Sequence, residues 1–283
     1  MIDVRQGRRR GRNQVRSVEL PEYLIGHVDL MHATAGLLVG VLVGLTGVGG
    51  GSLMTPLLVL MFGVNAKTAV GTDLLFAALT KTVGSTVHGW RDTVDWRIFR
   101  RLAAGSIPAA IVSVVALQWL GEIGNRAEHL IIIFLGCMLI LTAFAALFQT
   151  QLVRLARRRG TLRERRVVIP TIALGAFIGV AVSISSVGAG AIGVTALLML
   201  YPHLPVSRIV GTDIVHAVPL ALLAGSGHWL YGDVDLVLLG SLLVGSIPGV
   251  IVGSLLSSRA PDHLLRPALA AVLLLSGLKL LTS

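Results

Sequence analysis

Charged residues are scarce in this chain of 283 residues, which is 13% charged and 54% hydrophobic. A soluble domain of this size carries about 25% charged residues to cover its surface. Apolar runs of about 18 residues or more recur instead, and that length suits a hydrocarbon core roughly 30 Å thick. The mean hydropathy is +0.83. We therefore expect an all-α, polytopic membrane protein.

Residue patterns that carry chemistry are equally sparse. The single cysteine, Cys137, lies in an apolar run and excludes a disulfide within one chain. The sequence has no Cys/His metal spacing, no nucleophile elbow and no phosphate-binding glycine–lysine loop. We expect no cofactor, no metal and no enzymatic activity.

Positive charge is abundant but confined to three regions. Six arginines lie within the first sixteen residues, seven lie from Arg154 to Arg166, and four lie from Arg91 to Arg101. A folded basic surface with interleaved aromatic residues, as nucleic-acid binding requires, is lacking. Lys and Arg are retained on the cytoplasmic side of membrane proteins. We expect a multi-pass protein of the bacterial inner membrane with both termini in the cytoplasm.

Eight apolar segments follow one another, at about 31–63, 67–88, 98–120, 128–150, 167–201, 207–230, 234–257 and 264–282. The first and fifth are longer than the others and contain glycine-rich breaks at 44–52 and 183–190. All three basic regions share one face only if each broken segment crosses the membrane once. Two full crossings or a re-entrant hairpin would fail this test. We therefore predict about eight transmembrane helices.

Several short motifs recur at a spacing of 140 residues. Val70-Gly71-Thr72-Asp73 returns as Val210-Gly211-Thr212-Asp213, and Gly105-Ser106-Ile107-Pro108 returns as Gly245-Ser246-Ile247-Pro248. The pattern predicts two tandem four-helix repeats with broken first helices, running parallel to each other. The expected organisation is a basic cytoplasmic tail (1–30), a first membrane repeat (31–150), an Arg-rich cytoplasmic loop (151–166) and a second membrane repeat (167–283).

The two glycine-rich breaks are the predicted substrate site. An unwound helix exposes backbone N–H groups, and glycine lets a ligand approach them. A half-helix that begins at such a break directs its positive dipole end towards an anion. The alternative is that these glycines only permit close helix packing. The candidate residues are Thr46, Gly47, Gly49, Gly50, Gly51, Ser52, Ser185, Ser186, Gly188 and Gly190.

Six ionisable residues are candidates for proton coupling or for a structural role. Asp73 and Asp213 stand at membrane depth, either as proton carriers or as partners of Thr72, Thr212 or backbone N–H groups. Lys81 could balance either aspartate or attract an anion, and His216 faces much the same side as Asp213. We expect His88 and His228 near the cytoplasmic rim, as interfacial anchors or as groups in gating or proton entry.

The stretch from Gly44 to Pro56, followed by Ala69-Val70-Gly71-Thr72-Asp73, resembles the sulfite exporter family TauE/SafE, also called the toluene-sulfonate uptake permease family. The resemblance covers nearly all of 31–282. It implies a secondary transporter of small sulfur-containing anions with a duplicated four-crossing unit. The chain departs from the family pattern in its Arg-rich tail and at Ser186 and Ala189, which stand where the family has glycines.

We therefore expect alternating-access transport of a small anion, sulfite or an organosulfonate, coupled to protons or driven by the membrane potential. Two alternatives stay open. An anion channel would use the breaks as a selectivity filter, and a membrane scaffold subunit would not transport. The expected partners are the small anion and the lipid bilayer but not nucleic acid, and the sequence is compatible with a homo-oligomer.

Overall fold

The computed structural model describes residues 29–46, 51–88, 94–121, 126–158, 164–256 and 262–282. The regular structure in these ranges is helical, which confirms the expected all-α fold. The ten helices of the described ranges are α1 (Leu30–Thr46), α2 (Gly51–Phe62), α3 (Ala66–His88), α4 (Trp96–Gly121), α5 (Arg126–Arg158), α6 (Glu164–Ser185), α7 (Ala191–Leu200), α8 (Val206–Leu230), α9 (Leu236–Leu256) and α10 (Asp262–Thr282).

Nine of the ten described helices fall into two length classes, and the tenth, α3, has 23 residues and is less apolar than most of the others. Six of them (α4, α5, α6, α8, α9 and α10) contain apolar stretches of 18 to 29 residues, long enough to cross a bilayer. Three others (α1, α2 and α7) are apolar but shorter, with 10 to 17 residues. The short helices flank the two glycine-rich breaks. The fold is therefore that of a multi-pass membrane protein with two irregular segments.

Each broken segment is a helical hairpin rather than a single crossing. Tyr201 follows α7 directly, yet its hydroxyl lies 2.8 Å from Oγ1 of Thr171 near the start of α6. A helix continuing through the break would separate these residues by about 40 Å, at roughly 1.5 Å per residue. In the first segment, the ring centroids of His32 and Phe62 are 4.5 Å apart. The expectation of one crossing for each broken segment is therefore wrong.

The turn of the second hairpin (α6–α7) depends on backbone conformations that suit glycine. Gly188 and Gly190 have φ values of 126° and 115°, and Ser186 has a φ of 57°. Side chains are disfavoured at such angles because the Cβ atom collides with the neighbouring backbone. Three such residues within five positions reverse the chain sharply. Residues 47–50, which connect the two helices of the first hairpin (α1–α2), lie outside the described residues.

Helices from the two halves pack against each other along glycine faces. Helix α1 lies along α9, and α6 lies along α4. Gly40 contacts the backbone at Ser246, and Gly179 contacts the backbone at Ser106. A Cβ at either glycine would collide with a carbonyl group, so only glycine allows helices this close. These two contacts therefore fix the position of each hairpin against the other half.

Helix directions contradict the expected parallel arrangement of the repeats. Gly71 of α3 contacts His228 near the end of α8, whereas Gly225 contacts Leu75. Because the contacting residue numbers rise along α3 while they fall along α8, these two helices are antiparallel. Helices α5 and α10 are antiparallel as well, because Gln149 near the end of α5 bonds Arg266 near the start of α10. Since α3 and α8 carry the same motif, the two motif-bearing halves run in opposite directions.

The two ends of the helix bundle differ in charge. One end, the carboxylate end, carries Asp29, Glu128, Asp233 and Asp235, and α10 finishes there. The opposite end, the arginine end, carries Arg97, Arg100, Arg101, Arg154, Arg208 and Arg266. Asp29, where the N-terminal tail joins the bundle, bonds Ser241 at the start of α9. Asp29 therefore lies at the opposite end from Arg97 and Arg154, because each hairpin returns the chain to the end it started from. The arginines of the first sixteen residues, on which the expectation of one shared face also rested, lie outside the described residues.

Candidate functional site

Asp73 lies in α3 and is fully buried beside both hairpins. Its Oδ2 accepts a hydrogen bond from the backbone N–H of Thr55 in α2, at 3.2 Å, and another from the Thr55 hydroxyl. Ser186, at the turn of the second hairpin, also lies close to this carboxyl group. The partner of Asp73 is therefore Thr55 and not Thr72. Asp73 attaches the first hairpin to the bundle next to the turn of the second.

Asp213 lies in α8, equally buried, at the beginning of α7. The backbone N–H of Gly190 is a hydrogen-bonding neighbour of its carboxyl group. Gly193 lies so close to Oδ1 of Asp213 that a Cβ would not fit. Helix α7 has no side-chain cap of its own at Gly190. The anion next to the start of this half-helix is thus a carboxyl group of the chain itself, at the place where the sequence predicted a substrate.

Lys81 supplies a positive charge to the same region. It lies two turns beyond Asp73 in α3 and is half-buried. Its charge interacts first with Asp213 and second with Asp73. The sequence suggested this balancing role, and both carboxyl groups are close enough to the lysine to act on it electrostatically. One cation and two carboxyl groups therefore share a buried cluster, which we call the central cluster.

His216 borders the central cluster from α8. Its Nε2 lies 2.8 Å from the Ser106 hydroxyl, and its ring meets Phe99 edge to face at 6.2 Å. Its Nδ1 is buried and makes no hydrogen bond. Lys81 is close enough to act on it electrostatically. The histidine is therefore held in place by α4 and presents one unpaired ring nitrogen.

His228 lies in the last turn of α8, towards the carboxylate end, but it is not exposed there as an interfacial anchor would be. It is buried, with 1% of its surface exposed, and its Nε2 lies 2.9 Å from the Ser183 carbonyl near the end of α6. A carbonyl oxygen only accepts, so Nε2 carries the proton and Nδ1 faces Asp233 at 3.6 Å. The anchor interpretation fails because the hairpin covers this histidine. His88 ends α3, and its side chain lies outside the described residues.

Asp233 joins this arrangement from the loop between α8 and α9. Its Oδ2 accepts a hydrogen bond from Nε2 of Gln118 at 2.7 Å. Partial burial acts to raise the pKa of Asp233, but the neighbouring His228 and Gln118 side chains outweigh it and leave the pKa below its usual value. A carboxylate at the carboxylate end is therefore held ionised near the turn of the second hairpin.

The predicted residues at the breaks have different surroundings. The Ser185 hydroxyl bonds to the Ala181 carbonyl at 2.7 Å, whereas the Ser186 hydroxyl is buried without a partner. Ser52 is buried in the first turn of α2. Thr46 ends α1 and Gly51 begins α2, with both side-chain positions outside the described residues. Gly47, Gly49 and Gly50 lie outside them entirely.

Unpaired polar atoms concentrate around the central cluster. In the described part of the chain they include Oδ1 of Asp73, Oδ1 of Asp213, Oγ of Ser186 and Nδ1 of His216. A buried polar atom without a partner is costly, about 1–3 kcal/mol each, so such atoms call for water, an ion or a ligand. Groups of three or more His, Cys, Asp or Glu that could hold a metal are absent from the described ranges.

Sequence reasoning missed a reciprocal pair of contacts between the halves. The Thr72 hydroxyl accepts a hydrogen bond from the backbone N–H of Asp235 at 3.1 Å, and Thr212 accepts one from Asp95 at 2.8 Å. Both threonines belong to the repeated Gly-Thr-Asp motif. Both aspartates belong to a second repeated motif, Val94-Asp95 and Val234-Asp235, which recurs at the same spacing of 140 residues. The recurrence of both motifs at one spacing was a signal for this pairing. Thr55 and Ser106, the partners of Asp73 and His216, were missed too.

A fold of apolar helices around a buried polar cluster is that of an integral membrane protein, and comparison with known proteins identifies the family. The family model described as "Sulfite exporter TauE/SafE" matches residues 32–280. The chain belongs to this family, which confirms the resemblance seen in the sequence. No solved structure matches significantly.

Curated relatives agree with the family. The chain is 39% identical to "Probable membrane transporter protein YjnA" of Bacillus subtilis over 87% of its own length and 97% of that protein. It is 28% identical to "Probable membrane transporter protein YdhB" of the same organism, over 86% and 96%. A "Probable membrane transporter protein" of Xylella fastidiosa is 26% identical over 82% and 86%. These relatives are described as membrane transporters rather than enzymes.

Proposed function

We propose that the protein is a secondary transporter that moves a small anion, sulfite or an organosulfonate, across the inner membrane by alternating access. The observation that carries the proposal is the central cluster, in which two carboxyl groups, one lysine and the turn of a hairpin meet in the apolar bundle. Ionisable groups in such surroundings are costly and mark solute or proton paths. The relatives' names and the family description point the same way.

The charges of the cluster suggest how proton and anion movement are coupled. With both carboxyl groups ionised, the cluster carries two negative charges against the one positive charge of Lys81, and an incoming anion is repelled. One proton on Asp213, the stronger partner of Lys81, makes the cluster neutral and allows the anion to approach the lysine. Anion and proton then bind together and are released together. The same cycle runs in either direction, according to the gradients.

The opposed halves suit an alternating mechanism. Halves of opposite direction can exchange conformations, so that a site between them opens to one side and then to the other. Each hairpin lies against the other half through the α1–α9 and α6–α4 contacts. In this proposal a hairpin moves together with the helix it packs on. The hydroxyl groups of Ser52, Ser185 and Ser186 and the glycines at both breaks remain our candidates for contacting the anion.

We place the arginine end in the cytoplasm. Loops with many Lys and Arg residues are retained on that side, and six described arginines lie at this end. Asp29 and Thr282 then lie on the outer side, opposite to the sequence expectation. In a Cys137→Ser background, we expect a membrane-impermeant maleimide to label Lys279→Cys in intact cells. Arg154→Cys should be labelled only after permeabilisation. The reverse result would invert the orientation.

Transport can be tested with the purified protein in proteoliposomes. We expect uptake of radiolabelled sulfite or an organosulfonate to exceed that of empty liposomes and to respond to an imposed pH gradient. Flux no greater than in empty liposomes would refute transport and favour the scaffold alternative. Single-channel currents would favour the anion channel. Flux driven by membrane potential alone would retain the transporter and refute proton coupling.

A further inference from the structure

A cavity of about 260 Å³ lies at the arginine end, away from the central cluster. Four helices enclose it: the end of α5, the end of α7 and the starts of α8 and α10. Its lining residues are Gln149, Thr150, Val153, Arg154, Leu198, Val206 and Arg266. The cavity thus lies between helices of both halves and combines two cationic side chains with apolar walls.

The two arginines are differently supported. Nη1 of Arg266 donates a hydrogen bond to Oε1 of Gln149 at 2.7 Å, which orients its guanidinium at the α5–α10 contact. Arg154 is exposed on the last turns of α5. The other five residues that line the cavity are uncharged. Guanidinium groups bind phosphate oxygens in a fixed planar geometry.

The apolar part of the cavity continues onto the outside of the bundle. Val206 forms part of the wall and is 48% exposed, and Leu155, next to Arg154, is 47% exposed. In a membrane protein such surfaces face acyl chains. A free inorganic anion needs no apolar wall, whereas a phospholipid presents its phosphate and its chains side by side. Basic pockets between helices at the membrane boundary suit anionic headgroups.

We propose that this cavity binds the phosphate of an anionic phospholipid, with Arg154 and Arg266 as its cationic contacts. Because the lipid would contact both α5 and the start of α8, it would join the two halves at the arginine end. The proposal is independent of which solute is transported, since the cavity and the central cluster share no residue.

Lipid binding can be measured on the full-length protein in detergent. We expect phosphatidylglycerol or cardiolipin, but not phosphatidylcholine, to raise the melting temperature and to remain bound in native mass spectrometry. Arg154→Gln combined with Arg266→Gln should weaken this binding at least about tenfold, because two charge-assisted contacts are lost. The matched control, Arg97→Gln with Arg100→Gln, removes the same charge at the same end and should retain binding.

Further variants protect the test from a folding defect. Arg154→Gln alone alters an exposed side chain, and Thr150→Trp fills the cavity while keeping both arginines; each should weaken lipid binding. If the control pair weakened lipid binding equally, the effect would be due to general surface charge, and the proposed site would be overturned. Stabilisation of the wild-type protein by inorganic phosphate alone, to the same extent as by lipid, would overturn the lipid assignment.

Discussion

The two hairpins hold their buried carboxyl groups in different ways. In the first half, Thr55 of α2 bonds to Asp73 through both its hydroxyl and its backbone N–H. In the second half, Val194 stands at the position that matches Thr55 in the aligned breaks, and the neighbouring Thr195 instead points to the Ala145 carbonyl of α5 at 3.4 Å. Asp213 is left with the turn backbone at Gly190 and with the charge of Lys81. Repetition of a motif therefore does not mean repetition of a role.

The difference assigns separate tasks to the two aspartates within the proposed mechanism. A carboxylate that fixes a hairpin through a threonine has little freedom to change its partner. A carboxylate balanced by the side chain of a single lysine can exchange that partner for a proton. Lys81 has no cationic counterpart, because Ala221 occupies the matching position. We therefore expect Asp73 to matter mainly for stability and Asp213 mainly for coupling.

The largest expected effect is on transport by Asp213→Asn. Uptake driven by a pH gradient should fall by a factor on the order of 100, as when a proton-transferring group is removed. The melting temperature should change little, because the amide still fits the space. Uptake into proteoliposomes with and without an imposed gradient measures this. The division of roles fails if Asp73→Asn abolishes the gradient response and Asp213→Asn keeps it.

The next effect concerns the turn of the second hairpin. Gly188→Ala should cost about 3 kcal/mol of stability, because its φ of 126° disfavours a side chain and the added Cβ would approach the Ala181 side chain to 3.0 Å. Gly232→Ala is the matched control, with a φ of 83° and nothing near the added Cβ, and should cost about 1 kcal/mol. Unfolding in detergent measures both. Equal costs would mean that the turn is not constrained.

A smaller effect separates the two threonines. Thr55→Val removes the hydroxyl bond to a buried carboxylate and should destabilise the protein by about 2 kcal/mol. Thr195→Val removes one long bond to a carbonyl and should cost less than about 0.5 kcal/mol. Both variants replace a threonine by a valine, so the difference between their unfolding free energies measures the difference between the two hydrogen-bond acceptors. Equal losses would contradict the unequal support of the two aspartates.

The smallest effect concerns Asp233, which lies near the turn of the second hairpin. Its pKa is lower in the folded protein than in the unfolded chain. The carboxylate therefore stabilises the fold above the unfolded pKa of about 4, and this contribution is lost as the pH falls through the folded value. Asp233→Asn should be less stable than wild type by about 0.5 kcal/mol at pH 7, with the gap closing below pH 4. A gap that does not change with pH would show that the charge is irrelevant.

Much of the fold could be predicted from sequence because it follows from composition and spacing. Long apolar runs indicated the membrane, and the repeated Gly-Thr-Asp motif marked two aspartates that are indeed buried. The breaks were found from their glycines. The reversal of the chain at each break was rejected from the sequence, because the parity of crossings was taken from charge placement alone. Charge placement constrains the parity of crossings only when every charged region is truly on one side.

The site was predicted less completely, because its contacts join residues that are far apart in the chain. Thr55 is eighteen residues from Asp73 and becomes its partner only when α2 and α3 pack side by side. The contact between His228 and the Ser183 carbonyl likewise requires α6 to lie against α8. The residue types were visible in the sequence, but the packing of the helices decided which of them meet.

The packing of α1 has a consequence for biosynthesis. Gly36 lies against Leu242, a residue that the ribosome adds more than 200 positions later. Until α9 is synthesised, the glycine face of α1 has no packing partner, so the first hairpin cannot reach its final position. Helix α6 already has its partner, α4, when it emerges. A chain that stops before Leu236 would therefore lack α9 and leave α1 without its packing partner. Truncation near the C-terminus would thus be detected as a defect in the packing of the first helix.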